Sequence, residues 1–196
     1  MKKVVALFTA SLLLVCLSAS CQKSNDNPSG INMEASADTK VSETEIALDE
    51  NRIIPEQSFD VKLNDWGEVR FISYSPEAGA DFEDVSFYLM KDNKVAYSFP
   101  YYDENNRTDN DSGLFDSVES VGFRDVNDDS MMDVIVIINY ITGAGPQGMV
   151  PRPRARIFLA DKTEFHLAKE LTEDIAENMA ESDLNINSIY EYLKNK

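Results

Sequence analysis

Only two cysteines, one histidine and one tryptophan occur among the 196 residues of this chain. Both cysteines, Cys16 and Cys21, lie near the start, so everything after Cys21 is free of thiols. Disulfides, thiolate nucleophiles and cysteine-rich zinc sites are thereby excluded from the bulk of the chain. A single His166 excludes paired-histidine metal sites, and neither G-x-S-x-G nor H-E-x-x-H occurs. The usual hydrolase and zinc-protease arrangements have no footing here. Basic residues are scarce as well: 18 against 35 acidic ones, a formal charge of −17. A chain so negative repels phosphate backbones, so nucleic acid is not an expected partner. The uncharged run Val4 to Leu17 is too short to span a bilayer.

That run follows Lys2 and Lys3, and the pair reads as a secretory leader over residues 1–20. It ends in Leu17-Ser18-Ala19-Ser20-Cys21. Small residues directly before a cysteine resemble the bacterial lipoprotein signal, although such signals usually have Leu where Ser18 stands. The resemblance implies cleavage before Cys21, which becomes a lipidated N-terminus, and Cys16 leaves with the leader. Two or three acyl chains hold a protein firmly to a membrane. The expected location is the bacterial cell envelope, lipid-anchored and extracytoplasmic. Gln22 allows an outer-membrane fate if the bacterium is Gram-negative. An ordinary secreted protein is the alternative. Since Lys2 and Lys3 are the only charges in the leader, the processed chain carries −19.

Residues 21–57 are poor in aromatics and rich in Ser, Asn, Asp and Glu, with no sustained apolar period. A disordered acidic tether is expected there, followed by a single domain over 58–196. That domain reads as strands first and helices last. Phe59–Leu63, Glu68–Tyr74, Val85–Lys91, Val95–Phe99, Ser117–Phe123, Asp133–Tyr140 and Arg154–Ala160 have strand character. Val134 to Ile138 is apolar on both faces, the pattern of a central strand. Leu171, Ile175 and Met179 recur at helical spacing with Thr172 as cap, and Ile186, Ile189, Tyr190 and Leu193 predict a final helix. The fold class expected is α+β: a mainly antiparallel sheet of six or seven strands with C-terminal helices.

Asp125-Val126-Asn127-Asp128-Asp129-Ser130-Met131-Met132-Asp133 sits directly before that central strand. Calcium takes six to eight oxygens, and alternating residues can turn theirs toward one point. Asp125, Asn127, Asp129 and Asp133 have that spacing, with Met131 contributing its backbone carbonyl. The segment from about 118 to 139 resembles one FG-GAP (integrin-type) repeat, in which a strand, an Asp/Asn-rich calcium loop and an apolar strand follow one another. The resemblance implies a calcium loop but no propeller, which needs many copies. In the family a glycine follows the third ligand because the backbone there turns left-handed; here it is Ser130. The competing reading is an Asx-type turn with outward carboxylates.

Other signals are weaker. Gly143-Ala144-Gly145-Pro146-Gln147-Gly148 fits G-x-G-x-x-G, but Pro151 and Pro153 preclude the helix a nucleotide needs, so no nucleotide is expected. Arg152, Arg154 and Arg156 share one face of an extended segment and suit an anion, or pairing with the chain's own acids. Tyr97, Phe99 and Tyr101 alternate, and suit either sugar stacking or a core. The leading reading is a non-enzymatic lipid-anchored module with a structural calcium loop and an unknown protein or carbohydrate ligand. The alternatives are a polysaccharide-acting enzyme or accessory protein, or a purely structural envelope lipoprotein.

Overall fold

A computed structural model describes residues 47–63, 65–80, 83–101 and 113–196, all within one compact unit spanning Glu43–Lys196. The leader, Cys21 and most of the expected tether lie outside the described residues. The end of that tether does not: Glu50–Arg52 and Pro55–Gln57 form two 3-10 turns. Ile53 bridges Tyr74, and Ile54 packs against the core. The folded part therefore starts earlier than position 58, because two consecutive isoleucines give an otherwise polar stretch something to bury.

Eight strands follow: β1 (Phe59–Leu63), β2 (Gly67–Tyr74), β3 (Ser86–Lys91), β4 (Lys94–Ser98), β5 (Leu114–Arg124), β6 (Asp133–Ile141), β7 (Arg152–Asp161) and β8 (Glu164–Leu167). Two helices close the chain, α1 (Lys169–Asn178) and α2 (Ile186–Lys194). The α+β class and the antiparallel pairing are as expected. Among the described residues the strands number eight rather than six or seven, and they form two four-stranded sheets, ordered β1-β2-β3-β4 and β5-β6-β7-β8. Each sheet is a meander whose neighbours in sequence pair in space. The β3–β4 hairpin turns through Asp92 and Asn93, both at positive φ (52° and 61°), a conformation Asn and Asp tolerate.

The architecture has three layers. Leu63, Val69, Phe71, Phe87 and Leu89 of the first sheet, with Phe99 just after β4, meet Val134, Val136, Ile138 and Phe158 of the second. On the second sheet's other face, Ile135, Ile137, Ala155 and Ile157 receive Ile175 of α1 and Ile189 and Leu193 of α2. Because successive strand side chains point to opposite faces, β6 supplies both cores, which is why its sequence is apolar without alternation.

The helices differ from expectation in one detail. Thr172 lies inside α1 rather than capping it; Ala168 precedes the helix without a side-chain cap, and the Thr172 hydroxyl accepts from the Ile157 N–H at 3.4 Å. α2 does have a polar cap, Asn185, which accepts from the Ser188 N–H at 3.0 Å. The approach of α2 to β5 depends on Gly122, where a Cβ would fall 2.4 Å from Cγ2 of Ile186. Gly122→Val is expected to cost about 1–3 kcal/mol by overpacking. Thermal melts would check this, and adding Ile186→Ala should recover part of the loss.

Candidate functional site

β5 ends at Arg124 paired with Asp133, so residues 125–132 form a loop closed at its base by the first pair of the ladder. Inside it the side chains bond to the loop's own backbone. Asp125 accepts from the N–H groups of Asp129 (3.2 Å) and Ser130 (2.9 Å). Asn127 Oδ1 accepts from the same Asp129 N–H at 3.3 Å, and its Nδ2 donates to Asp129 Oδ2 at 2.8 Å. Asp129 Oδ1 accepts from the Met131 N–H at 2.7 Å. The heads of Asp125, Asn127 and Asp129 are thus gathered at one place. Asp128 turns outward to an ion pair with Lys194 of α2. Ser130 has φ +69°, the left-handed conformation at the position where the resembling repeats place glycine. Asp128 is left-handed too, at +63°.

Asp133 behaves differently from the other three. It is fully buried, and its two oxygens accept from the N–H groups of Val126 and Ala160, each at 2.8 Å. It therefore ties the loop to β7. Burial pushes its carboxyl up to about 6, helped by the charges of Asp129 and Asp125 and opposed by the two N–H bonds.

The donor set tests the fit to calcium. Every candidate ligand atom is an oxygen, which suits a hard cation. Each Asp133 oxygen has a second lone pair beyond the one its N–H bond uses. Yet among the described residues no three or more His, Cys, Asp or Glu side chains are already arranged around a metal position. As it stands the loop is satisfied by its own backbone, and an ion would have to displace some of those bonds.

The three arginines do not form an anion cradle. Arg156 enters the space between the sheets, buried at 4 % exposure, and pairs with Asp84, itself 3 % exposed. Its guanidinium also donates to the Tyr140 hydroxyl at 2.7 Å, and that hydroxyl donates to Asp84 Oδ1 at 3.1 Å. The Val85 N–H adds a bond of 2.7 Å to the same carboxylate. Burial raises the Asp84 carboxyl, while Arg156 and these hydrogen bonds pull it back. Arg154 pairs with Glu181 at 2.6 Å, and Arg152 is exposed. Two of the three arginines thus meet the chain's own acids. Asp84 was not picked out in the sequence because one acid before one strand carries no signal of burial.

The aromatic stripe is largely interior. Phe99 is 5 % exposed and lies 4.7 Å from Phe165 between ring centroids. Tyr97 packs against the same core, and its hydroxyl donates to the Phe165 carbonyl and accepts from the Phe165 N–H, both at 2.9 Å. It thereby satisfies a free edge position of β8. The Tyr101 hydroxyl is 2.5 Å from that of Ser86. His166 is exposed on β8. The glycine segment 143–148 is a loop between β6 and β7, with no helix after it. Comparison with protein-family models, curated proteins and solved structures finds no match.

Proposed function

We propose that this chain is a lipid-anchored, extracytoplasmic protein of the bacterial envelope. Its domain is a non-enzymatic interaction module, and loop 125–133 takes calcium as a structural ion. The observation that carries the calcium reading is the gathering of Asp125 and Asn127 oxygens about one N–H, with Asp129 beside them. Left-handed Ser130 adds support. The anchor rests on the leader and on Leu17 to Cys21. The ion would be held by Asp125, Asn127, Asp129, the Met131 carbonyl and Asp133, and would neutralise carboxylates that repel one another. A polysaccharide-acting reading called for an exposed aromatic cleft, and Phe99 in the core speaks against it.

Two measurements test this. Mass spectrometry of the membrane-extracted protein is expected to show an acylated N-terminal Cys21, and Cys21→Ser should release the protein from the membrane. With a dissociation constant of about 10⁻⁴–10⁻³ M, 10 mM calcium should add about 1–3 kcal/mol. That corresponds to a rise of roughly 3–10 °C in Tm, which Asp129→Ala should abolish. No heat on calorimetric titration and no melting shift would end the calcium reading.

A further inference from the structure

β5 is an edge strand of the second sheet, and its two halves meet different surroundings. Along the second half, Gln57 Nε2 donates to the Glu119 carbonyl at 3.0 Å, and Ile186 of α2 stands over Gly122. The first half, Leu114 to Val118, borders a cleft instead. Two hollows of about 340 and 400 Å³ make it up, and both are walled by Ser75 and Phe115. Phe115, Asp116, Ser117 and Val118 all line the second. Successive strand side chains point to opposite faces, so a hollow touching four in a row lies against the strand's edge.

The floor of the cleft is apolar and fixed. Ile54 and Phe115 pack on the core between the sheets, and Leu114 pairs with Ile141 beside them, all four half-buried. The walls are acidic. Glu56 and Asp116 border one hollow, Glu77 and Glu83 the other. Arg52 pairs with Glu83 at 3.7 Å but lines neither hollow, and no basic residue is among the described residues that do. The wall at 77–83 is closed on itself: the Ala80 N–H bonds to the Glu77 carbonyl and the Glu83 N–H to the Ala80 carbonyl, each at 3.0 Å.

We propose that this cleft seats an extended peptide segment of the module's partner, one in which basic residues alternate with apolar ones. The inference rests on the interaction-module reading above and names the partner's chemistry. Leu114 to Val118 span about 13 Å at the strand rise, the reach of four or five extended residues. Every second side chain of such a segment meets Phe115 and Ile54, and the basic ones between are long enough to reach the carboxylates on the rim. A second copy of this chain does not suit the cleft. It would bring a charge of −17 of its own, and the register shifts of β5 after Phe115 and Val118 interrupt the ladder that strand-to-strand pairing needs.

Fluorescence anisotropy of labelled peptides on the full chain tests this, with Lys-Val, Gln-Val and Glu-Val repeats of equal length as probes. The Lys-Val peptide is expected to bind at low ionic strength and to weaken severalfold at high salt. Glu56→Gln, Glu77→Gln and Asp116→Asn together should weaken its binding about tenfold. The control makes the same change of charge on α1 and on β8, the opposite edge of the sheet: Glu164→Gln, Glu170→Gln and Glu177→Gln. It should alter binding by less than about twofold, distant exposed charges being screened. All six side chains are exposed, so both variants should melt with the parent. Equal losses in the two variants would mean that bulk charge alone draws the peptide; the cleft is then wrong while the interaction reading stands. Gln-Val or Glu-Val binding as well as Lys-Val would likewise leave a binding module with its partner wrongly assigned. If none of the three binds, the cleft and a peptide ligand for the module fall together.

Discussion

Asp84→Ala is expected to destabilise the domain by about 3–5 kcal/mol, because it takes from the buried Arg156 guanidinium the buried carboxylate it pairs with. It also removes the acceptor for the Tyr140 hydroxyl and the Val85 N–H, both enclosed. In urea the transition midpoint should fall by roughly 2 M with little change in slope. The companion variant decides the cause. Asp84→Leu combined with Arg156→Met replaces the pair with apolar groups, and such exchanges are often neutral or stabilising. The double variant should therefore be clearly more stable than Asp84→Ala. A loss below about 1 kcal/mol for the single change would mean that water reaches the pair and that it does not lock the sheets together.

The second expectation concerns acidity. Asp133 has a folded carboxyl raised to about 6 against an ordinary value of 3.8. Between about pH 4 and 6 the folded protein holds a proton that the unfolded chain has released. Stability from this group is therefore complete below pH 4 and is lost as pH rises through 6, by about 3 kcal/mol at neutrality. Asp84 is raised in the same direction by burial. At −17 the whole chain also repels itself more as carboxyls ionise. Without calcium, Tm should rise when pH is lowered from 7.5 to 5.5, against the usual acid-labile trend. Asp133→Asn should flatten that rise. It should also lower Tm throughout, since an amide can accept only one of the Val126 and Ala160 N–H bonds. A flat or falling Tm in the parent protein would overturn the assignment.

Seven of the eight strands were legible because their alternation or apolar runs survive in any sheet. β8 was not counted: His166 alternates with Phe165 and Leu167, but four residues with a single fully buried side chain are too few to mark a strand. The division into two sheets was not legible either, since alternation says that a face is buried and not against what. The two-sided burial of β6 was readable, because only a middle layer needs apolar residues on both faces. In the acidic loop Ser130 was marked as the residue standing where the resembling repeats have glycine, and its backbone is left-handed. Asp133 was read with the loop, but one of its partners, the Ala160 N–H, lies 27 residues away. That Arg156 pairs with one of the chain's own acids was among the readings, but not which acid: Asp84, which takes it inside, is 72 residues distant. Long-range polar partners leave no local pattern.

The two-sided strand makes the acidic turn a safeguard against misalignment. Suppose β6 slipped by one residue along β5. Val134, Val136, Ile138 and Tyr140 would exchange places with Ile135, Ile137 and Asn139, and apolar burial alone would hardly object on the first few positions. The polar atoms would object. The Tyr140 hydroxyl would swing to the helix side, leaving Arg156 and Asp84 with a partner missing, and Asp133 would lose both of its N–H groups. A strand whose greasy side chains are nearly interchangeable is thus held in alignment by one carboxylate at its first residue and one phenol near its last. With or without an ion, the nine residues Asp125 to Asp133 also encode where the central strand begins.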